Sequence, residues 1–123
     1  MRRATIIAAG FAALLAGVAA APAFAAYGAL ARDDDSGKYG LSWNEENQTK
    51  ADDVAMKICG SEKCKVVFRT VARECGAIAT AEDGKVWGGA KRGQKAAAEL
   101  AAMENCQKRI KGQCKIRGAE CNR

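Results

Sequence analysis

The chain says nearly the same thing twice, and four of its six cysteines fall at matching points of the two copies. Tyr27-Gly28-Ala29-Leu30-Ala31 returns as Cys75-Gly76-Ala77-Ile78-Ala79, and Gly37-Lys38 returns as Gly84-Lys85. Ala51-Asp52, Ala55-Met56 and Cys59 return 47 residues later as Ala98-Glu99, Ala102-Met103 and Cys106. Cys64-Lys65-Val66 returns after 50 residues as Cys114-Lys115-Ile116. A unit that occurs only twice argues against a solenoid, which needs three or more stacked repeats to bury a continuous core. The expectation is a duplicated domain with pseudo-two-fold symmetry, repeat one over 27–74 and repeat two over 75–121.

Each copy reads as strand, strand, helix, strand. Tyr27 to Ala31 and Lys38 to Trp43 flank the polar run Asp33-Asp34-Asp35-Ser36-Gly37, which suits a hairpin loop. In the second strand Tyr39, Leu41 and Trp43 alternate with Gly40 and Ser42, so the large groups share one face. Thr49 is placed to cap the following helix, with Asp52 reaching back to it. Ala51, Val54, Ala55 and Ile58 then form one stripe towards the sheet, and Gly60 ends the helix. Lys65 to Val71, rich in β-branched residues, is the third strand. In the second copy the strands are Cys75 to Thr80, Lys85 to Gly89 and Lys115 to Cys121, and the helix runs from Gln94 to about Lys108. Its inner face is Ala98, Ala101, Ala102 and Asn105, small enough for close approach to a sheet. The fold class is therefore α+β, two ββαβ repeats whose antiparallel sheet is packed by two Ala-rich helices. Gly40, Gly88 and Gly89 are read as points of close approach.

Six cysteines allow 15 pairings, and the duplication selects among them. Cys59 and Cys106 end equivalent helices, while Cys64 and Cys114 open the strands that follow. Cys59–Cys64 and Cys106–Cys114 would each clip a helix to its own next strand. Cys75 and Cys121 have no counterparts in repeat one and are left to pair across the first and last strands of repeat two. Zinc is disfavoured by the Cys-x4-Cys and Cys-x7-Cys spacings and by the absence of histidine, and no CxxC is present for thiol exchange.

The N-terminus reads as a targeting segment. Arg2 and Arg3 form a basic n-region, Thr5 to Ala21 an apolar stretch, and Ala23-Phe24-Ala25 a small-x-small cleavage site. Cleavage after Ala25 would leave no membrane anchor and a periplasmic or secreted domain, in a compartment where disulfides persist. Only five aromatics follow, Tyr27, Tyr39, Trp43, Phe68 and Trp87. Tyr27, Tyr39, Trp43 and Trp87 are expected in the core, the alternative being an exposed sugar-binding platform, and disulfides are expected to supplement the core.

Catalytic signatures are sparse. Without histidine the commonest general base is missing, and paired cysteines leave no thiol nucleophile. Ser36, Ser42 and Ser61 lie in no G-x-S-x-G elbow. Asp33 to Asp35, Glu45, Glu46, Asp52 and Asp53 could serve a carboxylate-dependent hydrolase, but turns and helix starts account for them more simply. No catalytic residue, cofactor or metal is expected. Charge is more informative. Residues 27–53 hold three basic and seven acidic groups, whereas 54–123 hold fifteen basic and seven acidic. Lys65, Arg69, Lys108, Arg109, Lys111, Lys115 and Arg117 would form one basic surface if the third strands of the repeats were neighbours. Such a surface suits an acidic protein, anionic lipid or an envelope polyanion. The alternative is that these cations guard strand edges. Specific nucleic-acid recognition is not expected, because few aromatics interleave the basic run.

These elements resemble the bacterial family called domain of unknown function 4189. The similarity lies in Tyr27 to Ala31, Gly37 to Trp43, Ala51 to Cys59 and Cys64 to Phe68. It recurs in Cys75 to Ala79, Gly84 to Gly89, Ala98 to Cys106 and Cys114 to Ile116. The second Gly-rich strand departs from the pattern, with Trp87 its single aromatic. The resemblance implies an exported bacterial domain and brings no catalytic residues with it. The functional expectation is a non-enzymatic binding module, an inhibitor or accessory factor, with a cell-wall hydrolase or a structural envelope component as alternatives.

Overall fold

Each repeat folds as two strands, a helix and a third strand. The computed structural model describes residues 26–123; the expected targeting segment lies outside them. Repeat one comprises β1 (Tyr27–Arg32), β2 (Tyr39–Glu45), α1 (Gln48–Cys59) and β3 (Lys65–Thr70). Repeat two comprises β4 (Cys75–Ala81), β5 (Trp87–Arg92), α2 (Lys95–Gln107) and β6 (Cys114–Cys121). The strands close into two antiparallel sheets, one per repeat, with orders β2-β1-β3 and β5-β4-β6.

Alternation along β1 and β4 sets the layering. Ala29 and Ala31 face Ala51, Ala55 and Cys59 of α1, and Ala77 and Ala79 face Ala98, Ala101, Ala102 and Cys106 of α2. The residues between them, Leu30 and Ile78, point the other way and meet Leu41, Tyr39, Phe68 and Trp87. The two sheets therefore pack on each other, with one helix outside each. Small side chains line the helix–sheet seams, and the few large ones fill the sheet–sheet seam. The register shift of β1 against β3 falls between Leu30 and Ala31, and that of β4 against β6 between Ile78 and Ala79. The shared bulge puts Val67 and Arg117 in equivalent unpaired positions and supports the internal symmetry.

Two glycines bring the helices down onto the sheets. A Cβ on Gly40 would collide with the Ala55 carbonyl and the Cys59 amide, and one on Gly88 with the Ala102 carbonyl and the Cys106 amide. The start of α1 differs from expectation. Asn47, not Thr49, is the N-cap, its Oδ1 accepting from the Lys50 amide at 2.8 Å. Asn caps at least as well as Thr, and starting earlier frees Asp52 for another partner. Ile58 lies outside the packed stripe at 56% exposure, because Cys59 takes the buried position beside it.

All three expected disulfides form: Cys59–Cys64, Cys106–Cys114 and Cys75–Cys121. Cys75 and Cys121 are direct cross-strand partners of β4 and β6. On the chain-entropy model the two short loops contribute roughly 2 to 2.5 kcal/mol each and the long one about 4. Three closed bridges belong to an oxidising, exported environment.

The two repeats are also joined by polar contacts. Asn122, just beyond β6, is buried against repeat one. Its Nδ2 donates to Thr70 Oγ1 at 2.8 Å and to the Val71 carbonyl at 3.0 Å, and its Oδ1 accepts from the Asn44 amide at 2.8 Å. Size complementarity breaks the symmetry of the seam. Phe68 occupies the space left by Gly76 and Gly89, while its counterpart in repeat two is Gly118, beside Leu41.

Candidate functional site

The most chemically capable carboxylates are committed to structure. Asp33 ends the β1 side of the first hairpin and accepts from Ser61 Oγ at 2.7 Å, Ser36 Oγ at 2.8 Å and the Asp35 amide at 2.9 Å. These donors, Ser61 foremost and then Ser36, hold its carboxyl well below the usual carboxylate range. A group so depressed is a poor proton donor. Asp52 is gripped by Arg69, whose Nη2 and Nε lie 2.8 and 3.0 Å from its oxygens. That guanidinium lowers the Asp52 pKa, and Asp52 raises that of Arg69. Among the described residues no group of three or more Cys, Asp or Glu is arranged to hold a metal ion.

The expected basic residues divide into separate sets. The third strands are not neighbours: β3 and β6 are edges of different sheets. Phe68 of β3 faces Gly89 of β5, and Tyr39 of β2 donates to the Arg117 carbonyl of β6 at 3.2 Å. Lys65 sits on the β3 edge beside Asp33, Asp34 and Asp35, and Arg69 is taken by Asp52. Arg117 occupies the β6 bulge and turns its Nε onto Thr80 Oγ1 at 2.8 Å. Bulges and long cations at both third-strand edges are the usual protection against edge pairing. The single continuous surface is thus replaced by local groups, because each sheet keeps its own third strand at its own edge.

Lys108, Arg109, Lys111 and Lys115 remain together around the α2–β6 connection. This loop is closed by Cys106–Cys114 and braced inside by Gln107. Its Nε2 donates to the Gly112 carbonyl and its Oε1 accepts from the Cys114 amide, both at 2.8 Å. The Arg109 guanidinium lies 5.9 Å from the centre of the Trp87 ring. Between the loop and the β4–β5 hairpin is a groove of about 690 Å³. Its apolar lining is Ala81, Val86 and Ile110, with Glu82 and Asp83 on one rim and Lys115 on the other.

Sequence reasoning passed over Arg32, a cation buried to 2% exposure. It reaches from repeat one to the carbonyls of Gly84 and Lys85 at 2.5 and 3.1 Å, pairs with Asp34 at 2.6 Å, and lies 5.2 Å from the Trp87 ring centre. Its place at the end of a buried strand was the available signal. The expectation that every large aromatic is core is corrected at Trp43, which is 42% exposed near the end of edge strand β2. Trp87 is half-buried in the sheet–sheet seam.

A duplicated α+β framework with its own disulfides and no helix long and apolar enough to cross a membrane among the described residues defines a small disulfide-stapled domain. The chain belongs to the family described as Domain of unknown function (DUF4189), which matches residues 27–121. It is 42% identical over 53 residues to "Uncharacterized protein Rv1813c" of Mycobacterium tuberculosis and to "Uncharacterized protein Mb1843c" of Mycobacterium bovis. The matched segment is 43% of this chain and 35% of each relative, so it spans about a third of their length. The fold is similar to the NMR structure of Rv1813c, with a TM-score of 0.62 and 30% identity. That likeness covers 82% of this chain and 78% of the other.

Proposed function

We propose that the domain is a non-enzymatic, exported binding module that holds an acidic macromolecular partner through the cations of its second repeat, as an inhibitor or accessory factor. The observation that carries this reading is how the cations are used. Among the described residues, ion pairs take up Arg32, Lys50, Lys63 and Arg69, all in repeat one. Lys108, Arg109, Lys111 and Lys115 are exposed and enter none of them. Unpaired cations on and beside a disulfide-closed loop cost little to present and can steer an acidic partner. The commitment of Asp33 and Asp52 to intramolecular donors argues in the same direction, against the hydrolase.

The test is capture from periplasmic extract by the immobilised, disulfide-intact chain. Retention should fall as salt rises from about 0.1 M to about 1 M, where the screening length contracts from about 10 Å to about 3 Å. It should be lost in the double variant Lys111→Glu, Lys115→Glu. Capture unchanged by the double variant would reject the basic site. Peptidoglycan cleavage abolished by one Asp or Glu substitution would favour the hydrolase instead.

A further inference from the structure

Because the two repeats share a framework, each corner of one can be compared with its counterpart in the other. In repeat one the connection between α1 and β3 is short and folds against the β1–β2 hairpin. Ser61 donates to Asp33 at 2.7 Å, and Lys63 pairs with Asp35 at 2.9 Å. A loop cation meets a hairpin carboxylate across the corner, which keeps only a smaller hollow of about 420 Å³ with the polar lining Asp33, Asp35, Ser36, Ser61, Glu62 and Lys63. In repeat two the cysteines are separated by 8 positions where repeat one has 5. The longer loop is held by Gln107 to its own backbone. The hairpin carboxylate Asp83 is turned onto the Lys85 amide at 2.9 Å. Loop and hairpin thus stand apart, and the gap between them is the groove floored by Ala81, Val86 and Ile110.

We infer that this groove is a peptide-docking site. Its occupant is a short extended segment of a partner protein that sets an apolar side chain on Val86 and Ile110. A carboxylate beside it reaches Lys115, which lines the same groove. The groove's volume lies within the range of ligand sites. Both walls are pre-organised, one by the Cys106–Cys114 bridge and Gln107 and the other by the Asp83 turn, so little ordering is required on binding. The two rims differ in sign, which distinguishes the occupant. Glu82 and Asp83 would repel a uniformly anionic polymer or an anionic lipid surface, whereas a peptide can match each rim separately. The inference rests on the binding-module reading above and adds the site and class of partner.

The experiment selects a phage-displayed dodecapeptide library on the full disulfide-bonded chain and maps the enriched peptides by amide chemical shifts. Enriched sequences should place Asp or Glu next to Leu, Ile or Val, and shifts should centre on Ala81, Val86, Ile110 and Lys115. Lys115→Glu should weaken binding about tenfold or more, while Lys63→Glu leaves it unchanged. Replacing residues 107–113 with Gly-Ser-Glu-Lys, the loop of repeat one, should abolish it. No enrichment, shifts centred elsewhere, or binding indifferent to Lys115→Glu would overturn the inference. So would phosphatidylglycerol vesicles binding the chain through Lys115 when no peptide does. If extract capture still depends on Lys111 and Lys115 but peptides do not map to the groove, the groove assignment alone falls. If capture is also indifferent to those lysines, the binding-module reading falls with it.

Discussion

Gly40 and Gly88 occupy equivalent places, and each lets a helix backbone rest directly on a strand. The atoms a Cβ would strike are backbone carbonyls and amides, which cannot rotate aside as a side chain can. Gly40→Ala and Gly88→Ala should therefore each destabilise by about 1–3 kcal/mol or more through overpacking. Gly118 supplies the contrast. Its added Cβ would find Leu41 Cδ2 at 3.6 Å and Ile78 Cγ2 at 3.8 Å, ordinary contacts. Gly118→Ala should be neutral or stabilise by about 0.4–1 kcal/mol, since alanine reduces the freedom of the unfolded chain. Urea midpoints of the three variants check this; equal losses at Gly40 and Gly118 would contradict the packing account. The close approach was legible in sequence, because a glycine next to a bulky strand residue (Tyr39 or Trp87) and followed by an alanine-faced helix leaves a flat spot where two backbones can touch. The small partners of Phe68 were not legible, since Gly76 and Gly89 come from another sheet.

Between elements, Asp33 ties the first hairpin to the α1–β3 loop. Its folded pKa lies below the ordinary 3.8, so the unfolded chain binds its proton first as pH falls. The stabilisation is complete above the unfolded value and disappears as pH drops through 3.8 towards the folded value. Asp52, lowered chiefly by Arg69, acts with the same sign. Thermal midpoints should thus decline with acidification between about pH 5 and pH 2, and Asp33→Asn should make that decline shallower. Identical slopes in the two proteins would show that Asp33 contributes no linkage. The sequence marked the Asp33–Gly37 run as a turn, but not its purpose. Ser61 lies far along the chain, and only the packed corner brings its hydroxyl to the carboxylate.

For the molecule as a whole, the relation between the two sheets depends on a few groups near the C-terminal end of β6. Asn122 is 6% exposed and satisfies donors and acceptors on β2, β3 and the following turn. Cys75–Cys121 holds the strand end immediately before it. Asn122→Ala would leave the Asn44 amide and the Val71 carbonyl without these partners, at a cost of about 1–3 kcal/mol. Amide exchange should quicken at Asn44 while the helix amides of α1 and α2 keep their relative order. Unchanged exchange at Asn44 would mean that the packed Leu30, Ile78 and Phe68 seam suffices without the side chain.

The duplication, the order of elements in each repeat, the three cysteine pairings and the alanines lining both helix faces were readable from the residues alone. All of these follow from short-range periodicity or from comparing one copy with the other. Folding in three dimensions was needed to set that each repeat closes its own sheet, that β6 faces β2, and that the third-strand cations therefore part company. It also decided that the longer second cysteine loop stands away from its hairpin. The physical reason is that periodicity names the face a residue occupies, whereas the neighbour across that face is set by packing between segments distant along the chain.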